Sequence, residues 1–155
     1  MLAAALGASK LCLSGHLLIN FTASIPRGVY WISTSQRPRR GDLVTFPIPE
    51  SVRELVHVRR YVPASIQLLS KPVAAVSGDR VCVRDNRLFV NDEFAGNVLD
   101  VDPEGRSVPK DITCAMLRPG QLYVAAHHDN SFDSRCFGPI PVDGVRGTLT
   151  PLITF

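Results

Sequence analysis

The chain has 155 residues, 45% of them hydrophobic and 20% charged, with a formal net charge of +3. That length and apolar content suit one domain with its own core and exclude a disordered chain. So small and dispersed a charge excludes a nucleic-acid binder's basic stripe: Arg37, Arg39 and Arg40, and the pair Arg59 and Arg60, read as solvated faces, and no nucleic-acid partner is expected.

Residues 1–19 are mainly Ala, Leu, Gly and Ser, interrupted by Lys10 and His16. A spanning helix needs ~20 apolar residues, so this segment is borderline. A membrane anchor, a signal-like apolar region and a buried helix all fit it. No good A-x-A site is followed by a mature start, which favours an anchor over a removed signal. The expected division is therefore an apolar segment 1–19 and a single domain 20–155.

The domain opens with Asn-Phe-Thr-Ala-Ser-Ile-Pro-Arg-Gly-Val-Tyr-Trp over residues 20–31. Pro26 fixes its own φ and pushes Ile25 toward extended backbone, and Gly28 permits a turn that a Cβ would disfavour. The expectation is a rigid bend presenting Ser24 at a strand end. Residues 29–34 are β-branched and aromatic and read as a strand, followed by an arginine-rich turn over 36–40 and a second strand over 43–46. Within 50–62, Ser51 and Glu54 have the spacing of a capping box, which would start a short helix. The run from Ile66 to Val76 is apolar apart from Lys71, and Pro72 confines any strand there to an edge or a bulge. Two strands, 80–83 and 88–90, flank the turn Asp85-Asn86-Arg87 as a hairpin. Residues 95–111 read as a polar surface excursion, 121–126 as a strand, 127–138 as a polar loop and 144–149 as a closing strand. The sum is an all-β, mainly antiparallel domain.

Of 17 basic residues only Lys10, Lys71 and Lys110 are lysines. An arginine cannot be deprotonated in a protein, whereas a desolvated lysine can serve as a base. Burial of Lys71 in its apolar run would lower its pKa and let a neutral amine take the proton of Ser24. Snorkelling of Lys71 out of an edge strand is the alternative. In the polar loop, Asp133 and Arg135 are close enough to pair and to orient Ser131 toward a lysine ammonium, or else to build an Asx-rich surface turn. The four cysteines lack CxxC spacing, no zinc pattern joins them to the histidines, and His127 and His128 stand adjacent, which suits no metal pair. No metal or cofactor is expected. A disulfide among Cys82, Cys114 and Cys136 suits an oxidising compartment, and the sequence does not choose the pair.

These residues, taken together, resemble the signature boxes of type I signal peptidases. The boxes are Ser24 with Pro26 and Gly28, then Gly41-Asp42-Leu43-Val44, then the Lys71 run ending in Gly78-Asp79, then Asp129-Asn130-Ser131-Phe132-Asp133-Ser134-Arg135-Cys136-Phe137-Gly138. They stand in the family's order and span residues 20–147. The form Thr-Ala-Ser-Ile-Pro-Arg-Gly-Val-Tyr and the short chain are most similar to TraF-type peptidases of conjugative transfer systems, which mature a pilin-like subunit. The resemblance implies the signal-peptidase/LexA-like β fold. It also implies a Ser-Lys endopeptidase with Ser24 as nucleophile and Lys71 as general base. The Ser24 N–H and the Thr22 hydroxyl would form the oxyanion site, Ser131 would orient the lysine, and Asp133 with Arg135 would support the site. It implies a precursor substrate, pilin-like, with small residues before the cut, lying extended along the segment around Ile25 and the strand leading to Lys71. The implied location is the bacterial inner membrane, with the catalytic domain facing the periplasm. His127-His128 departs from the family's usual Gly-Asp-Asn lead-in, and the second β domain of some bacterial members is absent or reduced. A housekeeping signal peptidase I shares this chemistry. A LexA-like self-cleaving or non-catalytic β domain is the reading from another class. It would need a helix-turn-helix, of which no pattern is seen, and an Ala-Gly site upstream of the serine, whereas Ala95-Gly96 lies downstream.

Overall fold

Apolar runs of three to nine residues, broken by Pro, Gly and Asx turns, fold into antiparallel sheets. The computed structural model describes residues 15–111 and 114–155, and the backbone of residues 9–11. In chain order the elements are β1 (Ser9–Leu11), β2 (Leu17–Asn20), β3 (Gly28–Ser33), β4 (Leu43–Pro47), α1 (Glu50–Val58), β5 (Leu68–Val76) and β6 (Arg80–Arg84). They continue as β7 (Arg87–Val90), β8 (Glu93–Asn97), β9 (Cys114–Met116), β10 (Gln121–Val124), α2 (Ser134–Phe137), β11 (Ile140–Pro141) and β12 (Gly147–Thr154). An eight-stranded sheet has the order β1-β2-β3-β12-β4-β5-β10-β11, and a four-stranded sheet has the order β8-β7-β6-β9. The all-β expectation holds.

Three groups of buried side chains hold these layers. Val44, Phe46, Leu69, Val73, Leu122 and Phe132 pack with Val52 and Val56, which share the inner face of α1 at i, i+4 spacing. Ala75, Val81, Leu88, Val90 and Tyr123 fill the space under the small sheet. Leu18, Ile25, Tyr30, Ile32 and Leu149 lie beneath the bend that carries Ser24. The hairpin of β6 and β7 turns through Asp85 and Asn86, both at positive φ, as the turn chemistry predicts.

Several expectations change. The capping box at Ser51 does not form: α1 begins two residues earlier, with Pro49 at its N-cap and no side-chain cap. The closing strand starts at Gly147 rather than Gly144, which lies in a 3-10 turn, and runs on to Thr154. Pro72 sits in an interior strand, not at an edge. Its missing N–H faces the side on which β10 ends: the Pro72 carbonyl accepts from the Ala125 N–H just past β10, while Val73 still bonds to Gly41 and Asp42 on the β4 side. The irregularity foreseen at Pro72 falls just beyond it, where the register with β10 shifts between Tyr123 and Val124. Cys82 and Cys114, register partners on β6 and β9, form the disulfide and leave Cys136 as a free thiol. Most of the apolar segment 1–19 lies outside the described residues. Its described parts, β1 and β2, form an antiparallel pair, and no described helix is long and apolar enough to cross a membrane.

Gly28 is required for a reason other than a turn. It pairs with Asn20 on one side and Thr154 on the other, and a Cβ there would stand 2.1 Å from the Ile153 carbonyl oxygen. Gly28→Ala must push β12 away, so it is expected to lower stability by about 3 kcal/mol, at the upper end of overpacking. A urea midpoint that falls with an unchanged slope is the measurement.

Candidate active site

Two sequence-distant residues meet at the centre of the large sheet. Ser24 lies in the bend between β2 and β3 and is 6% exposed; Lys71 lies in β5 and is 0% exposed. Lys71 Nζ stands 2.7 Å from Ser24 Oγ and 2.7 Å from Ser131 Oγ. The lysine does not snorkel. Pro72 holds Lys71 extended, and pairing with Val44 on β4 directs its side chain inward. Burial lowers the Lys71 pKa from 10.5 to about 8; Asp133 opposes that shift and Arg135 adds to it.

Ser131 is delivered by the loop that α2 closes. Asp133 caps α2, accepting from the Arg135 backbone N–H at 3.1 Å. Arg135 and Asp133 are 2% and 0% exposed and form a two-pronged pair, Nε to Oδ1 at 2.9 Å and Nη2 to Oδ2 at 2.7 Å. The guanidinium also donates to the carbonyls of Asn97, Ala126 and His128, while Asp133 Oδ2 accepts from the Ala126 N–H. Every prong of the pair is therefore used, and two backbone segments, the end of β8 and the loop after β10, are tied around Ser131. His128 shares this environment; burial lowers its pKa, and the Lys71 and Arg135 charges lower it further.

Thr22 is buried beside Ser24, but its hydroxyl donates to Asn20 Oδ1 at 2.7 Å. Of the residues predicted from sequence, the structure thus brings Ser24, Lys71 and Ser131 into contact, sets Asp133 and Arg135 behind them, and places Thr22 next to the serine with its proton engaged elsewhere. One contributor, Asn20, lies outside the predicted site, and two residues of the predicted loop, Ser134 and Asp129, take roles that the sequence left unassigned. Asn20 ties the bend, Ser134 accepts from the Val124 N–H at the irregular end of β10, and Asp129 accepts from the backbone and side chain of Asn97. An Asn or Asp at the end of an apolar run is an Asx-turn signal, which marks Asn20 and Asp129; nothing local marks Ser134. Among the described residues no three His, Cys, Asp or Glu side chains converge as metal ligands. A buried alcohol against a desolvated amine, with a second hydroxyl fixing that amine, is an arrangement suited to nucleophilic acyl transfer.

The family described as signal peptidase, peptidase S26, matches the chain over residues 2–153. The chain is 33% identical over 158 residues to the conjugal transfer protein TraF of Agrobacterium fabrum, covering 96% of this chain and 89% of that one. It is 28% identical over 146 residues to a plasmid transfer protein TraF of Escherichia coli, covering 88% and 82%. It is 31% identical over 118 residues to the chloroplastic thylakoidal processing peptidase 1 of Arabidopsis thaliana, covering 72% of this chain and 31% of that one. A signal peptidase I structure from Enterococcus faecalis aligns with 74% of this chain and 98% of that one at 22% identity, with a TM-score of 0.45.

Replacing one member of the buried pair leaves the other without its close counter-charge. Asp133→Asn is expected to cost about 3–5 kcal/mol. Glu50→Gln, at the exposed pair with Arg53, is expected to cost below about 1 kcal/mol. Equal losses for the two variants in chemical denaturation would contradict the assignment of the Asp133 pair as the support of the site.

Proposed function

The chain belongs to the signal peptidase family, peptidase S26, and on that premise we propose that it is a Ser-Lys endopeptidase that removes a leader from a secreted precursor. The observation that carries this reading is the 2.7 Å approach of a fully buried lysine amine to the Ser24 hydroxyl. In the ammonium form Lys71 donates to both serines. Once it is neutral, the Ser24 hydroxyl turns to donate across the same distance, and Lys71 takes the proton as Ser24 Oγ attacks the scissile carbonyl. The Ser24 N–H and the Thr22 hydroxyl receive the oxyanion. Lys71 then protonates the leaving amine, and water activated by the same lysine hydrolyses the acyl-enzyme. Ser131 keeps Nζ in place through both halves.

The substrate of this reading is a pilin-like precursor with small residues before the cut. Transfer-protein relatives that match over most of both chains support a role in conjugation. An extended substrate would run along β5 ahead of Val73, where β10 joins the ladder, and past Ile25. Action at the inner membrane on the periplasmic side belongs to the same proposal and is supported by the family. A housekeeping signal peptidase would use the same site, and rescue of signal-peptidase-depleted cells separates the two.

Ser24→Ala and Lys71→Ala are each expected to reduce processing of a co-expressed pilin precursor by at least about 10⁴-fold while the protein stays folded. Thr22→Val is expected to cost about 10²–10³ in kcat, the worth of one oxyanion donor. Cleavage at a wild-type rate by either dyad variant would remove the proposal. Only the neutral amine can accept the proton, so activity should rise with pH through about 8. A limb at the free-lysine value of 10.5 would show that Lys71 is not the desolvated base.

A further inference from the structure

The bend that carries Ser24 is organised by a side chain that no motif assigns. Asn20 closes β2 with no exposed surface. Its amide nitrogen donates to the carbonyls of Thr22 at 2.9 Å, Ile25 at 3.0 Å and Pro26 at 3.1 Å. Two amide hydrogens serve three oxygens, so one is shared. Its Oδ1 accepts from the Thr22 N–H at 3.2 Å and the Thr22 hydroxyl at 2.7 Å. Ser24 stands between these tied carbonyls, two residues after the first and one before the second. Tyr30 Oη adds a second tie to the Pro26 carbonyl at 2.5 Å.

We propose that Asn20 is a positioning residue for acyl transfer, fixing the Ser24 backbone through its amide nitrogen and the Thr22 hydroxyl through its amide oxygen; this rests on the peptidase reading above. A buried bend has carbonyls that water cannot reach, and one amide replaces that water with fixed donors. The Thr22 hydroxyl has a single proton, so it serves Asn20 Oδ1 in the resting enzyme and the oxyanion in the transition state, pivoting on an oxygen whose place Asn20 has set. Nothing in this network touches Lys71, so Asn20 acts on the geometry of attack and not on the base.

The test uses an internally quenched peptide with Ala at the first and third positions before the cut. Asn20→Asp keeps an oxygen for Thr22 but turns a second oxygen toward three carbonyls; Asn20→Ser is a smaller neutral variant should the first not fold. For the folded variant the expected result is a kcat lower by roughly a hundredfold, the order that a misplacement near 1 Å costs, with KM within about threefold. For the neutral Asn20→Ser the rise of activity with pH should stay where it is in the wild type, because no charge is added near Lys71. A variant that loses thermal stability but cleaves at the wild-type kcat would overturn the inference and leave Asn20 a structural tie. Ser24→Ala and Lys71→Ala run alongside: if they are inactive while the Asn20 variants are not, only this inference fails. If they too cleave normally, the peptidase reading itself fails.

Discussion

Everything at the site depends on keeping an amine out of water. Lys71 is fully buried, and the difference between 10.5 and about 8 corresponds to roughly 3 kcal/mol against its ammonium form. The fold carries that cost below about pH 8, where Lys71 is charged in both the folded and unfolded states. The cost fades as pH rises toward 10.5, because the folded pKa lies below the unfolded one. A cost of this size needs a rigid surround. Val44 across the ladder, the Val73 core behind and the two hydroxyls at 2.7 Å supply it, leaving Nζ with partners but no solvent.

The Asp133–Arg135 pair has a different task. Removing two charges from water is expensive, and a buried ion pair is weak evidence of stability by itself. Its value here is geometric. The five-donor fork of Arg135 reaches carbonyls at Asn97, Ala126 and His128, which belong to β8 and to the loop after β10. Asp133 adds the Ala126 N–H and the cap of α2. Ser131, two residues away, is therefore placed by a network that joins the small sheet to the loop between β10 and α2. Through Asn97 the small sheet is thus coupled to the loop that orients Lys71.

Much of this was legible before any coordinates. Short apolar runs with Pro, Gly and Asx punctuation mark antiparallel β structure, and the scarcity of lysine made Lys71 conspicuous. The Asp133–Arg135 pair follows from spacing of two along a polar loop. What local rules missed was long-range. Pro72 is allowed inside a sheet because its ring nitrogen faces the side on which β10 ends, a fact about β10 rather than about the proline. The choice of Cys82 and Cys114 over Cys136 depends on β6 and β9 lying in register. Gly28 looked like a turn glycine, but the constraint comes from the far end of the chain, where the Ile153 carbonyl crosses it. Ser51 satisfied a capping pattern, yet the helix began earlier, at Glu50 behind Pro49.

Two prolines share one function on the two sides of the site. Pro72 follows Lys71 directly, and Pro26 follows Ile25, the residue after Ser24. A proline disfavours helical backbone in the residue before it, so Lys71 and Ile25 are held extended by covalent geometry alone. That restriction applies in the unfolded chain as well, so less conformational entropy is lost when the residues take their places. The hydrogen bonds of the site then need only select side-chain positions, because the local backbone is already restricted. Asn20 completes this on the serine side, where the bend has no ladder of its own to hold its carbonyls. On the lysine side the backbone bonds to β4 and its lead-in do the same work through Val73, and the β10 side joins at the Pro72 carbonyl. The serine is thus held by a side chain and the lysine by a sheet, which explains why a bend and a strand so far apart in sequence can keep a 2.7 Å contact.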